Sequence, residues 1–237
     1  MYIKRTNSTN TLLRELIVRG NPPEFVYAGF QTAGRGQTGN GWESEADKNL
    51  LCSILLPPVK EPFYLNVMVS VAVQRLLGDD FTIKWPNDIY WQDRKVAGIL
   101  IENAMVGNEI KYSIAGIGLN VNQTEWRSDA PNPISLKQIT GKDYDLDALM
   151  QSLLKEMHKA QQEDVWAYYK AHLYRGEAFW PFVEREVNTT PTMNADTTAQ
   201  GQFLARITDV LPSGEVLLVD QQGKERKYHF KQIRYVL

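Results

Sequence analysis

The amino-acid sequence predicts an α+β protein: a mostly antiparallel sheet with helices packed on one side of it, followed by a small C-terminal SH3-like β-barrel. Three observations lead to this fold class. Helical periodicity is confined to three segments, and the apolar segments between them have strand character. Short turns such as Gly107-Asn108 join several of these segments, which favours antiparallel hairpins over βαβ crossovers. The 237 residues are enough for one good-sized domain and a small one.

Three segments have the apolar spacing of amphipathic helices. In the first, the capping residues Thr9-Asn10-Thr11 precede apolar residues at 12, 13, 16 and 17, and Gly20 follows them. The second covers residues 64–77 and is followed by Gly78, and the third covers residues 145–172. Apolar side chains recur every three or four residues in each of them. Capping residues or a terminal glycine bound the first two, so their ends are also predicted.

The remaining apolar segments predict strands. In the main body they are residues 25–30, 50–56, 81–85, 96–104 and 111–121. Residues 188–199 are rich in Thr, Asn and Pro, which is typical of a loop or linker. Short alternating segments at residues 202–207, 215–219 and 227–230 then predict the barrel. The predicted domains are therefore residues 1–187 and 188–237.

Composition excludes several classes of protein. A formal net charge of −2 supplies no electrostatic argument for nucleic acid or an anionic membrane as partner. The single cysteine, Cys52, excludes an intrachain disulfide, and its apolar neighbours indicate a buried hydrophobe rather than a nucleophile. The three histidines lack zinc-ligand spacing. No secretory signal or membrane-spanning apolar run is visible, so we expect a cytoplasmic protein.

Residues 34–42 alternate four glycines with polar residues before Trp42. Glycines let backbone N–H groups approach an anion closely, and the planar fork of Arg35 suits a carboxylate or phosphate. The loop is not a P-loop, because no Gly-Lys-Ser/Thr follows, and it leads into a strand, unlike a Rossmann fingerprint. A plain flexible turn remains an alternative. Trp42 could stack on a purine or anchor the loop in the core.

A second cluster of polar residues lies between Lys84 and Glu102. Asp88 could share Mg²⁺ with nucleotide phosphates while Lys84 neutralises phosphate charge. Gly98, shortly after Lys95, leaves a gap where a ligand can lie close to a strand. The alternatives are an Asx-turn at Asp88 and a solvated hairpin at Lys95. Residues 116–122, with two glycines and two asparagines, are consistent with packing or with binding.

The order of these motifs resembles that of the biotin protein ligases. The matching elements are Ser8-Thr9-Asn10, residues 31–36, Trp42, residues 84–88, residues 95–102 and residues 116–120. The tail resembles the C-terminal SH3-like domain of that family, so the resemblance covers nearly the whole chain. It implies a ligase that forms biotinyl-5′-AMP from biotin and MgATP. Biotin is then transferred, as an amide, to a lysine of an apo biotin carboxyl carrier domain.

The resemblance also implies roles for individual residues. Lys95 and Arg35 would be catalytic, with Arg35 on the biotin carboxylate and Lys95 between that carboxylate and the α-phosphate. The biotin pocket would comprise Ser8, Thr9, Asn10, Gln31, Gly34, Arg35, Gly36, Gln37, Lys95, Gly98, Leu100 and Gly116. The ATP site would comprise Trp42, Lys84, Asn87, Asp88 and Asn120, with Asp88 as the Mg²⁺ ligand. The expected partners are biotin, ATP and the carrier domain; monomer and homodimer are both left open.

The sequence departs from the family pattern in two ways. Gln37 and Asn40 stand where relatives often have arginine, so we hypothesise a weaker hold on the adenylate. The motifs also begin at Ser8, which leaves no room for an N-terminal helix-turn-helix domain, so we expect no DNA binding. Two alternatives remain: a lipoate or octanoate transferase or ligase of the same superfamily, and a non-catalytic biotin-binding protein. Gln31, Ser8 and Thr9 favour biotin over the first, and the cation–carboxylate set argues against the second.

Overall fold

The computed structural model describes residues 1–37, 41–185 and 202–236. Twelve elements of the main body are, in chain order, β1 Tyr2–Ile3, α1 Thr9–Val18, β2 Phe25–Ala28, β3 Leu50–Leu56, α2 Pro62–Leu77, β4 Phe81–Lys84, β5 Asp88–Trp91, β6 Arg94–Val106, β7 Glu109–Leu119, α3 Leu136–Thr140, α4 Leu146–Gln162 and α5 Trp166–Ala171. The seven strands form one sheet in the order β1-β2-β3-β7-β6-β5-β4. All neighbouring pairs are antiparallel except β1 and β2, which confirms the predicted sheet.

The register of the three central strands separates the sheet into two chemically different faces. Gly116 of β7 lies opposite Ser53 of β3 and Leu100 of β6, and Gly118 lies opposite Gly98. Because side chains alternate along a strand, these residues share one face. The intervening residues Cys52, Ile54, Ile99, Ala115 and Ile117 belong to the main apolar core on the other face. One face is therefore covered by the apolar core, whereas the other lacks side chains at its three glycines.

The helices cover both faces of the sheet, so the expectation that they share one side is wrong. α2 and α4 pack together and contribute Val69, Ala72, Leu153 and other residues to the main core. α1 instead packs on the glycine-bearing face, where Leu13 forms a second apolar cluster with Val26 and Ile114. This helix covers only part of that face. The remainder is open beside the start of α1.

The segment predicted as one helix over residues 145–172 is two helices, α4 and α5. Glu163, which follows α4, is extended with φ −118° and ψ 154°. The Asp164 carboxylate then accepts a hydrogen bond from the Trp166 backbone N–H, at the start of α5. Periodicity continues across the break because both helices face the core. It therefore could not reveal the local break.

The C-terminal strands form a separate antiparallel sheet, in the order β11-β10-β9-β8-β12. Its members are β8 Trp180–Glu184, β9 Gln202–Val210, β10 Val216–Asp220, β11 Glu225–Tyr228 and β12 Ile233–Tyr235. β8 lies on the N-terminal side of the predicted domain boundary, so the second sheet takes at least these residues from the predicted first domain. The predicted linker, residues 188–199, lies outside the described residues. Among the described residues, no helix is both long enough and apolar enough to cross a membrane.

The C-terminal sheet packs against the turn that follows β4. The indole N–H of Trp85 donates to the Gly214 carbonyl at 3.2 Å, and the Trp85 ring meets Phe230 edge-on at 5.9 Å. A Cβ added to Gly214 would lie 2.6 Å from Cδ2 of Phe63, a residue of α2. The two sheets are therefore in close contact next to residues 84–88.

This contact predicts that alanine substitutions at two glycines of the C-terminal sheet region reduce the free energy of unfolding to different extents. Gly214 and Gly223 both have positive φ, +93° and +80°, but a Cβ at Gly223 would meet nothing within 4 Å. Both alanine variants lose the same backbone freedom, whereas only Gly214→Ala collides with Phe63. We expect Gly214→Ala to lower the free energy of unfolding by about 1–3 kcal/mol more than Gly223→Ala. Equal losses in denaturant titrations would contradict the packing argument.

Candidate active site

A cavity of about 230 Å³ opens on the glycine-bearing face of the sheet. Its lining comprises Ser8, Thr9, Asn10, Gln31, Arg35, Gly36, Gln37, Gly41, Trp42, Cys52, Pro86, Asn87, Asp88, Lys95, Gly98, Ile99, Leu100, Gly116, Ile117, Gly118 and Phe230. Every site residue predicted from the sequence lies in this lining except Gly34, Lys84 and Asn120. Motifs up to about 100 residues apart in the chain thus meet in one cavity.

Three glycines form the floor of the cavity. A Cβ at Gly118 would lie 2.3 Å from Cε2 of Trp42, and one at Gly98 would lie 2.7 Å from Cζ3 of the same ring. A Cβ at Gly116 would lie 2.4 Å from Oδ1 of Asn10. Only glycine lets Trp42 and Asn10 lie this close to the strand backbone. The absence of side chains at these three positions makes the cavity deeper. Trp42 lies on this floor, and its indole nitrogen is buried without a hydrogen-bond partner among the described residues.

One end of the cavity carries a network of neutral polar groups. Gln31 Oε1 accepts hydrogen bonds from the backbone N–H of Thr9 at 2.7 Å and from its hydroxyl at 3.1 Å. The buried Ser53 hydroxyl donates to Asn10 Oδ1 and lies 2.7 Å from the Thr9 hydroxyl. These contacts hold the start of α1 against β3. They also leave hydroxyl and amide groups at the cavity wall, where a ligand with its own donors and acceptors can bind.

The opposite end carries a cation–carboxylate pair. Lys95 Nζ lies 2.7 Å from Asp88 Oδ1, and each side chain is 30% exposed. The same ammonium lies 5.8 Å from the centre of the Trp42 ring. Asp88 is the first residue of β5 rather than a residue within the turn, and Lys95 is paired rather than freely solvated. The pair is a charged site that a polyanion can enter, since the partial exposure keeps it accessible.

Gln37 links the glycine-rich loop to the turn before β5. Its Nε2 donates to Asn87 Oδ1 at 3.2 Å. Asn87 is itself buried, and its amide donates to Asn66 Oδ1 at 2.6 Å and to the Ile99 carbonyl at 3.3 Å. The loop is therefore attached to a buried anchor on the far side of the cavity. Residues 38–40, including Asn40, lie outside the described residues.

Three predicted site residues lie next to the cavity rather than on its wall. Lys84 Nζ donates to the Tyr90 hydroxyl at 3.0 Å and lies 5.1 Å from the centre of the Tyr235 ring. Asn120 is buried and donates to the carbonyls of Lys95 and Ile134, which is a packing role. The backbone of Gly34 lies against Trp42 and Gln31, where a Cβ would meet the Trp42 carbonyl at 2.8 Å. The ligand contacts predicted for these three residues stay predictions.

Burial of Lys84 predicts a pH effect on stability. Removal from water lowers the pKa of Lys84 to about 8, from an ordinary value of 10.5. The unfolded chain binds the Lys84 proton more strongly, so the free energy of unfolding should rise between pH 8 and pH 10.5. Lys84→Met should lack this rise, whereas the same substitution at Lys170, an exposed lysine paired with Asp209, should keep it. If the free energy of unfolding rises equally between pH 8 and pH 10.5 in wild type and in Lys84→Met, the prediction is contradicted.

Residues that the sequence did not single out complete the site. Ser53 is the one hydroxyl in β3, and its position among apolar residues was the signal that could have identified it. Gly118 lay within the predicted segment 116–122 but was not assigned to the site, and it belongs to the same glycine floor as Gly116. Phe230, from the C-terminal sheet, lines the cavity and could not be predicted, because its place depends on how the two sheets pack together. Glu102, within the predicted motif, lies beyond the cavity wall.

The fold and the site define an α+β protein with a cavity on the glycine-bearing face of its sheet. The cavity combines neutral polar groups with one ion pair. Sequence comparison agrees with this class. The chain belongs to the Biotin/lipoate A/B protein ligase family, whose model matches residues 2–120. The resemblance to biotin protein ligases predicted from the motifs is thereby confirmed.

Individual relatives extend the match beyond residue 120. The chain is 30% identical over 243 aligned positions to the Bifunctional ligase/repressor BirA of Bacillus spizizenii, covering 96% of this chain and 71% of that protein. It is 30% identical over 168 positions to a Biotin–[acetyl-CoA-carboxylase] ligase of Mycobacterium tuberculosis, covering 65% and 61% of the two chains. The fold matches a biotin protein ligase from Aquifex aeolicus with a TM-score of 0.76, at 23% identity, over 100% and 98% of the two chains.

Proposed function

We propose that this chain is an ATP-dependent biotin protein ligase, which joins biotin through an amide bond to a lysine of a carrier protein. The observation that carries the proposal is the arrangement of a single cavity: neutral amides and hydroxyls at one end, a glycine floor, and the Asp88–Lys95 pair at the other end. Named relatives are biotin–[acetyl-CoA-carboxylase] ligases, and the similar Aquifex structure is a complex with biotin and ATP.

The polar end suits the head group of biotin. Its ureido ring has two N–H donors and one carbonyl acceptor, and Gln31, Thr9 and Ser8 offer groups of both kinds at the cavity wall. The glycine floor then lets the rest of the molecule lie flat on the sheet toward Lys95. The carboxylate of biotin thereby reaches the charged end, where the α-phosphate of ATP is expected beside Trp42.

Catalysis requires that the two substrates be held in position and that positive charge lie next to the reacting oxygens. It does not require a nucleophile from the protein. The carboxylate of biotin attacks the α-phosphate, which releases pyrophosphate and leaves biotinyl-5′-AMP; a carrier lysine then attacks the mixed anhydride and releases AMP. Lys95 offsets negative charge that develops on the reacting oxygens. The contact between Arg35 and the biotin carboxylate stays a prediction, since Arg35 Nη2 lies 3.4 Å from Glu102, next to Asn10. Cys52 is unsuited to act as a nucleophile, because burial raises the pKa of its thiol to about 12.

The residues present fit a Mg²⁺ ion delivered with ATP. Asp88 supplies one carboxylate at the charged end, and among the described residues Lys95 contacts only its Oδ1. Among the described residues no group of three or more His, Cys, Asp or Glu side chains could form an all-protein metal site. Mg²⁺ commonly takes one or two carboxylates and fills its other positions with phosphate oxygens and water. When bound, the ion would screen phosphate charge, and Asp88 would hold it.

The remaining partners follow from the same proposal. The acceptor is an apo biotin carboxyl carrier domain, and the reaction takes place in the cytoplasm, where such carriers and ATP are present. The chain exists as a monomer or as a homodimer.

The test is the intact mass of an apo biotin-carrier domain after incubation with this chain, biotin and MgATP. Parallel reactions omit ATP, or supply lipoate or octanoate with their own apo carrier. ATP-dependent addition of one biotinyl group supports the ligase. Transfer of lipoate or octanoate without transfer of biotin would assign the chain to the lipoate branch of the family. If no acyl group is transferred in any reaction but the chain binds biotin, it is a non-catalytic biotin-binding protein.

Gln37 provides a prediction about the intermediate. Relatives often have arginine at this position, whereas Gln37 donates a neutral hydrogen bond to Asn87. A neutral group attracts the phosphate of biotinyl-AMP less than a guanidinium does. We expect Gln37→Arg to slow release of biotinyl-AMP, by roughly tenfold for a charge-assisted contact. Release measured by filtration without acceptor checks this; unchanged or faster release from the arginine variant would contradict it.

A further inference from the structure

A hydrogen-bonded chain of four side chains runs from the neutral end of the cavity to a carboxylate beyond its wall. The Thr9 hydroxyl, at the wall, lies 2.7 Å from Oγ of Ser53, and Ser53 donates to Asn10 Oδ1. Asn10 Nδ2 in turn donates to Glu102 Oε2 at 2.7 Å. Thr9, Asn10 and Ser53 are at most 3% exposed. Each of their polar groups therefore has to find its partner inside the protein or on a bound ligand.

Glu102 determines the direction of the hydrogen bonds in this chain. An ionised carboxylate only accepts, and Arg14 and Arg35, which only donate, face the same group at 3.1 and 3.4 Å. Asn10 must therefore turn its NH₂ group toward Glu102 and its carbonyl oxygen toward Ser53. The single proton of the Ser53 hydroxyl is then committed to that oxygen.

The direction of the chain decides where the Thr9 proton lies. The hydrogen bond from the Thr9 hydroxyl to Gln31 Oε1, at 3.1 Å, is the longer of two that its single proton can make. The Ser53 oxygen, at 2.7 Å, is too close for a contact without a proton between the two hydroxyls, and Ser53 donates its own to Asn10. The Thr9 proton therefore lies toward Ser53. Thr9 Oγ1 and Gln31 Oε1 then face each other at the cavity wall as two acceptors with no proton between them.

We propose that Ser53 is a positioning residue that makes the Thr9 hydroxyl an acceptor, in a chain whose direction Glu102 sets, so that this end of the cavity selects a ligand with an N–H donor. The inference rests on the proposed function, in which a ureido ring binds here. One ureido N–H of biotin can donate to the two oxygens, which are ordered to accept it before binding. The sulfur-containing ring of lipoate and the alkyl chain of octanoate have no such donor and would leave these buried acceptors unsatisfied.

Two other roles for Ser53 would have different consequences. If Ser53 only holds the start of α1 against β3, its loss should lower stability and leave the preference among ligands unchanged. If the Thr9 proton lies toward Gln31, the ligand meets a donor at this position, and loss of the Ser53 hydroxyl should not change the affinity for biotin.

Ser53→Ala removes the hydroxyl that accepts the Thr9 proton, so the proton turns to Gln31 and occupies the place of the ligand N–H. Ser113→Ala is the matched control: Ser113 is also fully buried in a central strand and donates to Asn103 Oδ1 at 2.8 Å, but it lies outside the cavity lining. We expect calorimetric titration with biotin alone to show a roughly tenfold loss of affinity in Ser53→Ala, typical of one hydrogen bond, and little change in Ser113→Ala.

A cycle with Thr9→Val shows whether Ser53 acts through Thr9. Valine keeps the shape of threonine and lacks the hydroxyl, so Ser53→Ala should cost little further affinity in that background. Glu102→Gln keeps every hydroxyl of the chain but lets Asn10 reverse, so the competent order is only partly populated. We expect it to lower biotin affinity by about two- to fivefold, and this loss should also vanish in Thr9→Val.

The preference for an N–H donor is tested with the two cyclic carbamate analogues of biotin, in each of which a ring oxygen replaces one ureido N–H. For one of them, the ratio of biotin affinity to analogue affinity should fall by roughly tenfold in Ser53→Ala, because the Thr9 hydroxyl can then donate to the ring oxygen. Ser113→Ala should keep the wild-type ratio for both analogues.

Unchanged biotin affinity in a folded Ser53→Ala chain, a loss that persists in Thr9→Val, or unchanged ratios for both analogues would each overturn the inference. If Ser53→Ala does not fold, Glu102→Gln decides in its place, and unchanged biotin affinity in that variant would overturn the inference as well. A wild-type chain that does not bind biotin would defeat the proposed function together with the inference. Biotin transfer by a chain that shows none of these effects would defeat the inference alone.

Discussion

Lys95→Ala is expected to reduce biotinyl-AMP formation by roughly a hundredfold or more, which is the usual loss when a group that stabilises developing charge is removed from an active site. Lys95 is the cation at the charged end of the cavity, 2.7 Å from Asp88 and next to Trp42. Its loss removes positive charge where the pentacoordinate phosphate forms and leaves Asp88 to repel the nucleotide. Single-turnover formation of biotinyl-AMP with pyrophosphate detection measures the effect.

The chain should remain folded, because a partly exposed ion pair contributes about 1 kcal/mol or less to stability. Lys137→Ala is the matched control: Lys137 Nζ is also 2.7 Å from a carboxylate, Asp143, and is comparably exposed, but it belongs to α3 and lies outside the cavity lining. Both variants should unfold at similar denaturant concentrations, and only Lys95→Ala should lose activity. Near-normal turnover by a folded Lys95→Ala chain would refute the role of Lys95.

Gly116→Ala is expected to weaken biotin binding by roughly tenfold or more. The new methyl group would lie 2.4 Å from Asn10 Oδ1. Asn10 cannot simply turn away, because Ser53 donates to its oxygen and its amide donates to Glu102. Overpacking of this kind costs about 1–3 kcal/mol, which corresponds to about 5- to 150-fold when the cost falls on the bound state. Calorimetric titration with biotin alone measures the binding constant without any need for turnover.

The physical cause can be separated from a general loss of stability. Asn10→Ala removes the group that the methyl would strike, so Gly116→Ala should cost little further binding in that background. The free energy of unfolding of each variant, from denaturant titration, shows how much of the strain is expressed without ligand. Fully additive losses in the double variant would show that the methyl group acts elsewhere than on Asn10.

The local elements were predictable wherever short-range pattern and packing agree. α1 and α2 follow from apolar spacing and from the glycines that come after them, and β3, β6 and β7 follow from apolar segments of strand length. The predicted cap of α1 is wrong: Thr9, Asn10 and Thr11 lie within the helix, and Ser8 at the N-cap accepts no capping hydrogen bond through its side chain. The break between α4 and α5 and the short strand β5 were not predicted. Both depend on contacts outside their own segment: α5 continues the same apolar face, and β5 exists because β4 and β6 lie on either side of it.

Most polar residues of the cavity were predictable as motifs, but their arrangement was not. Lys95, Asp88, Gln31 and Thr9 were identified from residue type, from spacing and from the resemblance to the family, and they meet as expected. Pattern could not show that Lys84 turns toward Tyr90 and Tyr235, or that Asn120 serves backbone carbonyls. The direction in which such a side chain points depends on the face of the strand that the residue occupies and on the elements that cover that face.

The sequence by itself determined the α+β class, the order of the motifs and the family to which the chain belongs, because these depend on residue type and local spacing. The tertiary structure alone decided that α1 packs on the glycine-bearing face, that Phe230 of the second sheet reaches the cavity, and that Glu102 meets Arg35. These contacts join different segments of the chain, such as those of Arg35 and Glu102, which are 67 positions apart. They arise from strand register and from the packing of one sheet on another, neither of which a local pattern of residues encodes.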